Sequence, residues 1–248
     1  MEASVFAVCD GADYVLLAPA QDHKRALDGD RGKNTGGMGA YAPAPAVSGF
    51  VLDEVERHIV APTLRGMRDE GSPFRGCLYV GLMLTSSGPK VVEYNCRFGD
   101  PETQVILPLY DADLLELIHA AATGALRNMA LGASQRINRG AAVCVVLASE
   151  GYPDAYPKGR EITGLNEAAL LPGVLLFHAG TEKRGGKLTT AGGRVLGVTA
   201  IAGDGDLRRA VGAAYEAVSR ISFEGMHFRH DIAEKALQPV RPLAEPRT

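Results

Sequence analysis

The chain has 248 residues, of which 46% are hydrophobic and 22% charged, and a formal net charge of −3. This balance suits a packed globular core and carries no mark of disorder, and the absence of a basic stripe or interleaved aromatics argues against a nucleic-acid surface. No apolar run is long enough to cross a bilayer and the first residues lack the pattern of a secretory signal, so a cytoplasmic protein with no membrane or nucleic-acid partner is expected.

Residues 3–18 are apolar strand segments around Asp10-Gly11-Ala12-Asp13, which predicts a hairpin turn. The polar stretch Gln21-Asp22-His23-Lys24-Arg25 follows, then Asn34-Thr35-Gly36-Gly37-Met38-Gly39-Ala40-Tyr41 and the proline-rich residues 42–45. Glycines this dense allow positive φ and close backbone approach, and consecutive N–H groups in such a loop can cradle an anion. The same pattern also suits a flexible surface loop, and it is neither a P-loop nor a Gly-x-Gly-x-x-Gly fingerprint. Residues 52–70 have helical spacing, with Val55, Ile59, Leu64 and Met67 on one apolar stripe. A second hairpin is predicted from residues 78–84, the turn 86–89 and residues 91–95, followed by a helix over 111–123 that places Leu114, Leu115, Leu117 and Ile118 in the core. Beyond about residue 135, strands over 141–148, 175–178 and 195–201 and a helix over 207–220 read as a smaller α+β domain with no catalytic cluster of its own. Cys9, Cys77, Cys96 and Cys144 lack paired spacing, which predicts neither a zinc site nor a disulfide framework. Packing or surface roles are expected of His58, His119, His227 and His230.

The densest chemistry lies in Lys90-Val-Val-Glu-Tyr-Asn-Cys-Arg-Phe-Gly-Asp-Pro-Glu102, expected to end a central strand. Alternation along a strand turns Glu93 and Asn95 to one face, with Arg97 after them, and Val92 and Tyr94 to the other. A hard cation such as Mg²⁺ takes carboxylate and amide oxygens and completes its shell with water and phosphates, while a guanidinium binds a phosphoryl or carboxylate oxygen pair. Taken alone, the triplet equally suits a surface ion pair between Glu93 and Arg97 with Asn95 capping a turn.

Together these segments resemble the C-terminal half of the phosphoribosylamine–glycine ligase (glycinamide ribonucleotide synthetase) family of the ATP-grasp superfamily. The similar segments are residues 21–25, 34–41 and 93–104, Gly151-Tyr152-Pro153, residues 177–181 and residues 192–196. The closing segment Arg229-His230-Asp231-Ile232-Ala233-Glu234-Lys235 departs from the family pattern, with Ala233 in place of glycine and Lys235 in place of arginine. The resemblance also covers His178 and Arg194, for which a structural role is expected. Met1 coincides with a point midway through the family's ATP-grasp module, so the other half is expected either as a separate N-terminal polypeptide or as part of a longer gene product, and the chain alone is expected to have negligible activity.

The resemblance implies an α+β fold: the C-terminal part of an ATP-grasp domain, an antiparallel sheet with flanking helices, over residues 1–134, then a smaller α+β domain over 135–240 and a tail over 241–248. It implies an ATP-dependent carbon–nitrogen ligase of purine biosynthesis that joins glycine to 5-phosphoribosylamine through glycyl phosphate, with ATP as co-substrate and Mg²⁺ or Mn²⁺ as cofactor. In that scheme Glu93 and Asn95 hold the metal, Arg97 and Lys24 act on the phosphoryl group, and Glu2 contacts the nucleotide ribose. Asp22, His23, Arg25, Asn34, Thr35, Gly36, Gly37, Gly39, Asp100, Pro101 and Glu102 form the substrate side. An inactive remnant, a binding module or another ATP-grasp ligase of purine synthesis are the competing readings.

Overall fold

The structure is a computed structural model that describes residues 1–129 and 140–238. The first hairpin joins β1 (Glu2–Asp10) to β2 (Tyr14–Leu16). Asp10 closes the turn by accepting the N–H groups of Ala12 at 2.9 Å and Asp13 at 2.8 Å. Short strands β3 (Gln21–Asp22), β4 (Arg25–Leu27), β5 (Arg31–Asn34) and β6 (Gly39–Ala42) follow, β4 and β5 forming a separate ribbon.

The helix predicted over 52–70 is a longer rod, α1 (Gly49–Val55) and α2 (Ala61–Asp69) joined through a π turn at Glu56–Val60. Pro62 has no N–H to offer the carbonyl four residues back, and the wider turn, in which the N–H of Ala61 reaches the carbonyl of Glu56, absorbs that break. Val55, Ile59 and Leu64 are buried as expected, but Met67 is 37% exposed.

The next hairpin is β7 (Arg75–Thr85) and β8 (Gly88–Asn95). With β1 central, the order β2-β1-β7-β8 gives an antiparallel sheet whose outer strand is β8. The metal-type residues therefore end an outer strand and not a central one. At this edge Val91 and Val92 are 39% and 56% exposed. Alternation along β1 splits its side chains between two cores. Ala3, Val5, Ala7 and Cys9 share a core with the α1–α2 rod, and Phe6 and Val8 share one with the helices that follow β8.

Those are α3 (Thr103–Ile106), continued by a 3₁₀ turn at Leu107–Leu109, and α4 (Leu114–Thr123), capped by Asp113 and ended by Gly124 at φ 77. Of the four α4 residues expected in the core only Leu117 is fully buried. Leu114 packs at its edge, and Leu115 and Ile118 are 74% and 46% exposed, because the buried stripe runs through Leu117, Ala120 and Ala121 instead.

The second sheet is built on β9 (Ala141–Ser149), buried at every position. After α5 (Leu165–Ala169) come β10 (Val174–His178), the β11 (Thr181–Arg184) and β12 (Lys187–Thr190) ribbon, β13 (Arg194–Ala202), α6 (Leu207–Arg220), β14 (Met226–His227) and α7 (Glu234–Leu237). The order β10-β13-β9-β6-β3, with β14 also on β9, carries strands from both ends of the sequence into one sheet. The expected division at 134/135 and the tail 241–248 lie outside the described residues. No helix among them is long and apolar enough to cross a membrane.

Candidate active site

Strand β8 positions the metal-type face. Register pairs Glu93 with Gly81 and Asn95 with Tyr79, with an irregularity between Gly81 and Leu82 that leaves Val92 as the extra residue of a bulge. The bulge interrupts the expected alternation at Val92, which borders a narrow groove together with Glu93. Tyr94 keeps the opposite face, where its hydroxyl meets Thr63 Oγ1 of α2 at 2.8 Å. Gly81 leaves room for Glu93, since a Cβ there would sit 3.0 Å from Glu93 Cγ. Asn95 Nδ2 donates to Glu93 Oε1 at 3.2 Å, so the amide oxygen and the second carboxylate oxygen keep their lone pairs for a cation. Among the described residues no three His, Cys, Asp or Glu side chains converge as a metal cage, so a divalent ion bound here would depend on the amide and on ligand oxygens, the usual habit of Mg²⁺.

An open cleft of about 170 Å³ is bordered by Glu93, Asn95 and Arg97 on one side and by Asp22, Lys24 and Glu102 on the other. Arg97 Nη1 donates to the carbonyl of Phe98 at 3.0 Å, and among the described residues no ion pair joins it to Glu93. Glu102 is 4% exposed and its carboxylate lies over Gly99, where a Cβ would approach Oε2 to 2.5 Å. Burial raises the pKa of Glu102 against the Tyr79 hydroxyl, Lys24 and Arg97, which act to lower it. Burial, and then the charge of Glu102, push Asp22 up to about 7. Lys24 pairs with Glu2 at 2.9 Å, and although burial opposes its charge, Glu2, Asp22 and Glu93 hold its pKa above the ordinary lysine value. A neighbouring cleft of about 450 Å³ is bordered by Glu2, Lys24, Arg25, Asn34, Met83 and Lys235.

The glycine-rich loop differs from the expected anion cradle. Its four successive N–H groups are already committed: Thr35 to the Lys24 carbonyl at 2.7 Å, Gly36 to Tyr152 Oη at 2.9 Å, Gly37 to Thr35 Oγ1 at 3.0 Å and Met38 to the His23 carbonyl at 2.8 Å. The loop borders the cleft through Thr35 and Gly36 instead. Gly37, at φ +111, packs so closely on Pro101 that a Cβ would lie 2.4 Å from its Cδ. Gly39 serves packing in β6, a Cβ there falling 2.6 Å from the Cys144 carbonyl.

His23 is 1% exposed and packs near Tyr41, away from the cleft, with neither ring nitrogen hydrogen-bonded among the described residues. Burial and then the nearby Arg229 guanidinium push its pKa down to about 4, so it is neutral near pH 7. Sequence reasoning missed Arg229, which is fully buried. It donates to Asp231 at 2.7 and 2.6 Å, to Asp30 at 3.0 Å and to the Arg25 carbonyl at 3.1 Å, tying the closing segment to the ribbon beside Lys24. In the two departures from the family pattern, Lys235 bonds Asp30, and Ala233 adopts φ 67. Tyr79, buried at the base of the cleft with its hydroxyl 2.8 Å from Ser4 Oγ, was also missed, although a tyrosine inside an apolar strand is a signal worth following.

Two antiparallel sheets flanked by helices, with Glu93, Asn95 and Arg97 bordering one cleft together with Lys24, define an ATP-grasp fold. The biotin carboxylase domain of a single-chain bacterial carboxylase shares that fold, with a TM-score of 0.62 at 18% identity over 92% of this chain and 49% of that one. Residues 1–103 match the phosphoribosylglycinamide synthetase ATP-grasp (A) domain and residues 142–235 its C domain. The chain belongs to the phosphoribosylglycinamide synthetase family. It is 52% identical over 236 residues to the phosphoribosylamine–glycine ligase of Chlorobaculum tepidum, covering 95% of this chain and 54% of that protein. A crystal structure of phosphoribosylamine–glycine ligase from Thermotoga maritima superposes with a TM-score of 0.77 at 40% identity over 94% of this chain and 56% of that one. The trifunctional purine biosynthetic protein adenosine-3 of Gallus gallus is 52% identical over 238 residues, which cover 95% of this chain and 23% of that protein. The chain thus spans about half the length of the bacterial ligases it matches.

Proposed function

We propose that the chain supplies the metal-binding and substrate side of phosphoribosylamine–glycine ligase, an ATP-dependent carbon–nitrogen ligase of purine biosynthesis acting in the cytoplasm. The observation that carries this reading is that Glu93, Asn95 and Arg97 border the same cleft as Lys24, Asp22 and Glu102. In the proposed reaction the glycine carboxylate attacks the γ-phosphorus of ATP, releasing ADP and forming glycyl phosphate. The amine of 5-phosphoribosylamine then attacks the acyl carbon, phosphate leaves and the amine loses a proton, giving glycinamide ribonucleotide.

Arg97 stabilises the phosphoryl group in transit, the role of a preorganised cation facing developing negative charge. Glu93 and Asn95 offer a carboxylate and an amide oxygen to Mg²⁺ or Mn²⁺, which when bound neutralises phosphate charge. The larger cleft suits the nucleotide, with Glu2 toward the ribose hydroxyls and Lys24 and Arg25 toward anionic oxygens. Asp22 and Glu102, two carboxylates on one cleft wall, suit the cationic amine of a substrate, with Asn34, Thr35, Gly36, Asp100 and Pro101 shaping the space around it.

The test is turnover of ATP, glycine and 5-phosphoribosylamine with Mg²⁺, assayed on this chain alone and with the unmatched half of the Chlorobaculum tepidum ligase added as a separate polypeptide. Turnover is expected in the mixture, falling about 100-fold or more in Arg97→Ala. No turnover in either arm from a folded chain, or full activity in Arg97→Ala, refutes the assignment.

A further inference from the structure

We propose that Arg194 is a positioning residue that sets the substrate edge of the cleft from the second sheet, an inference that rests on the ligase reading above. Arg194 opens β13, and its side chain is 22% exposed. Its Nη1 donates to the carbonyl of Gly36 at 2.6 Å, to that of Asp100 at 2.8 Å and, at a longer 3.4 Å, to that of Gly37. Its Nη2 lies 3.2 Å from the Asp100 carboxylate. One guanidinium therefore joins two loops far apart in sequence, both of which border the cleft that holds Glu93 and Arg97. Among the described residues no backbone N–H donates to the carbonyl of Gly36, so the 2.6 Å contact with Arg194 is what satisfies it.

The surrounding packing is built to the same end. A Cβ on Gly36 would lie 3.0 Å from Arg194 Cζ, so a residue without a side chain lets the loop close on the guanidinium. The other side of the loop is held by Tyr152, whose hydroxyl accepts the Gly36 N–H at 2.9 Å. The Tyr152 ring is seated on Gly193, where a Cβ would fall 2.2 Å from Cδ2. Gln104 Nε2 donates to Asp100 Oδ1 at 3.0 Å and braces the second loop. Arg194 is specific for this task because Nη1 takes the Gly36 and Asp100 carbonyls while Nη2 reaches the Asp100 carboxylate, a division between two nitrogens held in one plane that a single ammonium does not reproduce. A plain charge role predicts that lysine substitutes; a positioning role predicts that it does not.

The experiment compares the unmodified full chain with Arg194→Lys, Arg194→Ala and Tyr152→Phe. Amide hydrogen exchange at Gly37 and Met38 is expected to speed up about tenfold or more in both Arg194 variants, whereas Tyr152→Phe, which removes the acceptor of the Gly36 N–H, speeds exchange chiefly at Gly36, with β1 and β9 as protected as before. Calorimetric titration with glycinamide ribonucleotide, the product of the proposed reaction, is expected to show Kd rising about tenfold or more in both Arg194 variants. Unchanged exchange and Kd in Arg194→Lys would overturn the proposal. So would faster exchange across the whole chain with a lowered melting temperature, the mark of a general fastener. No product binding by the unmodified chain would overturn the ligase reading, and the exchange pattern would still decide whether Arg194 sets the two loops.

Discussion

Replacing Asp10 with alanine removes the anchor of the first hairpin, and its effect can be worked out from three contacts. One carboxylate oxygen accepts the N–H groups of Ala12 at 2.9 Å and Asp13 at 2.8 Å; the other accepts the N–H of Leu126 at 3.0 Å, across 116 residues. Ala12 is exposed and Asp13 half-buried, so water can take over those two bonds, and their loss costs about 0.5 to 1 kcal/mol each. Leu126 is fully buried, and stranding its N–H costs about 1 to 3 kcal/mol, giving about 3 kcal/mol in all. The assay is equilibrium unfolding in urea, with the midpoint expected to fall at constant slope. Acid provides a second arm. Burial opposes ionisation of Asp10, but the three backbone N–H groups and Arg75 hold its pKa below the ordinary 3.8. A depressed carboxylate contributes stability that is present above its unfolded pKa and lost as pH falls through its folded one, so the gap between the two proteins narrows below about pH 4. A difference under about 0.5 kcal/mol at pH 7, or one that stays constant into acid, refutes the reasoning.

Asp22 has the opposite sign: with its pKa raised to about 7, chiefly by burial, the folded state holds a proton that the unfolded chain has lost, so this residue erodes stability as pH rises from about 4 to 7. Asp22→Asn is expected to flatten that part of the stability–pH curve, and a curve of unchanged slope counts against it. Gly37→Ala combines φ +111 with a Cβ only 2.4 Å from Pro101 Cδ, and is expected to lower stability by about 2 kcal/mol or more in thermal unfolding. Ala233→Gly relieves a left-handed alanine worth about 1 to 2 kcal/mol but loses a buried methyl worth about 0.8 and adds about 0.5 to 1 of unfolded-chain entropy. The variant is therefore expected to unfold within about 1 kcal/mol of the unmodified protein, and a larger change in either direction contradicts that balance.

The strands and helices were legible where one local signal sufficed. The Asp10–Asp13 turn, both hairpins, the apolar run of β9 and the helix at Leu207–Arg220 lie where alternation, turn chemistry and helical spacing place them. Strand β8 was legible in its chemistry but not in its setting. The sequence suggested a central strand, and neither its place at the sheet's edge nor the bulge at Val92 leaves a mark in the composition. In α4, four apolar side chains in five positions could not all face inward on a helix, and the small residues Ala120 and Ala121 took the buried stripe that Leu115 and Ile118 had suggested.

The glycine-rich loop failed for a different reason. Its N–H groups could serve an anion or the protein itself, and the decision rests on partners 11 and 116 residues away in Lys24 and Tyr152, which no local pattern encodes. The same long-range wiring is why the C-terminal portion, poor in chemistry-bearing motifs, still shapes the cleft. Strand β9 pairs with β6 on one edge and β13 on the other, so residues 39–42 and 194–202 lie two strands apart in one sheet. Arg194 at the start of β13 and Gly36 just before β6 are thereby brought together across β9, a strand buried at every position. A sequence reading that looks for catalytic side chains passes over such a strand, yet its pairing on both edges is what brings one arginine to two loops at the edge of the site.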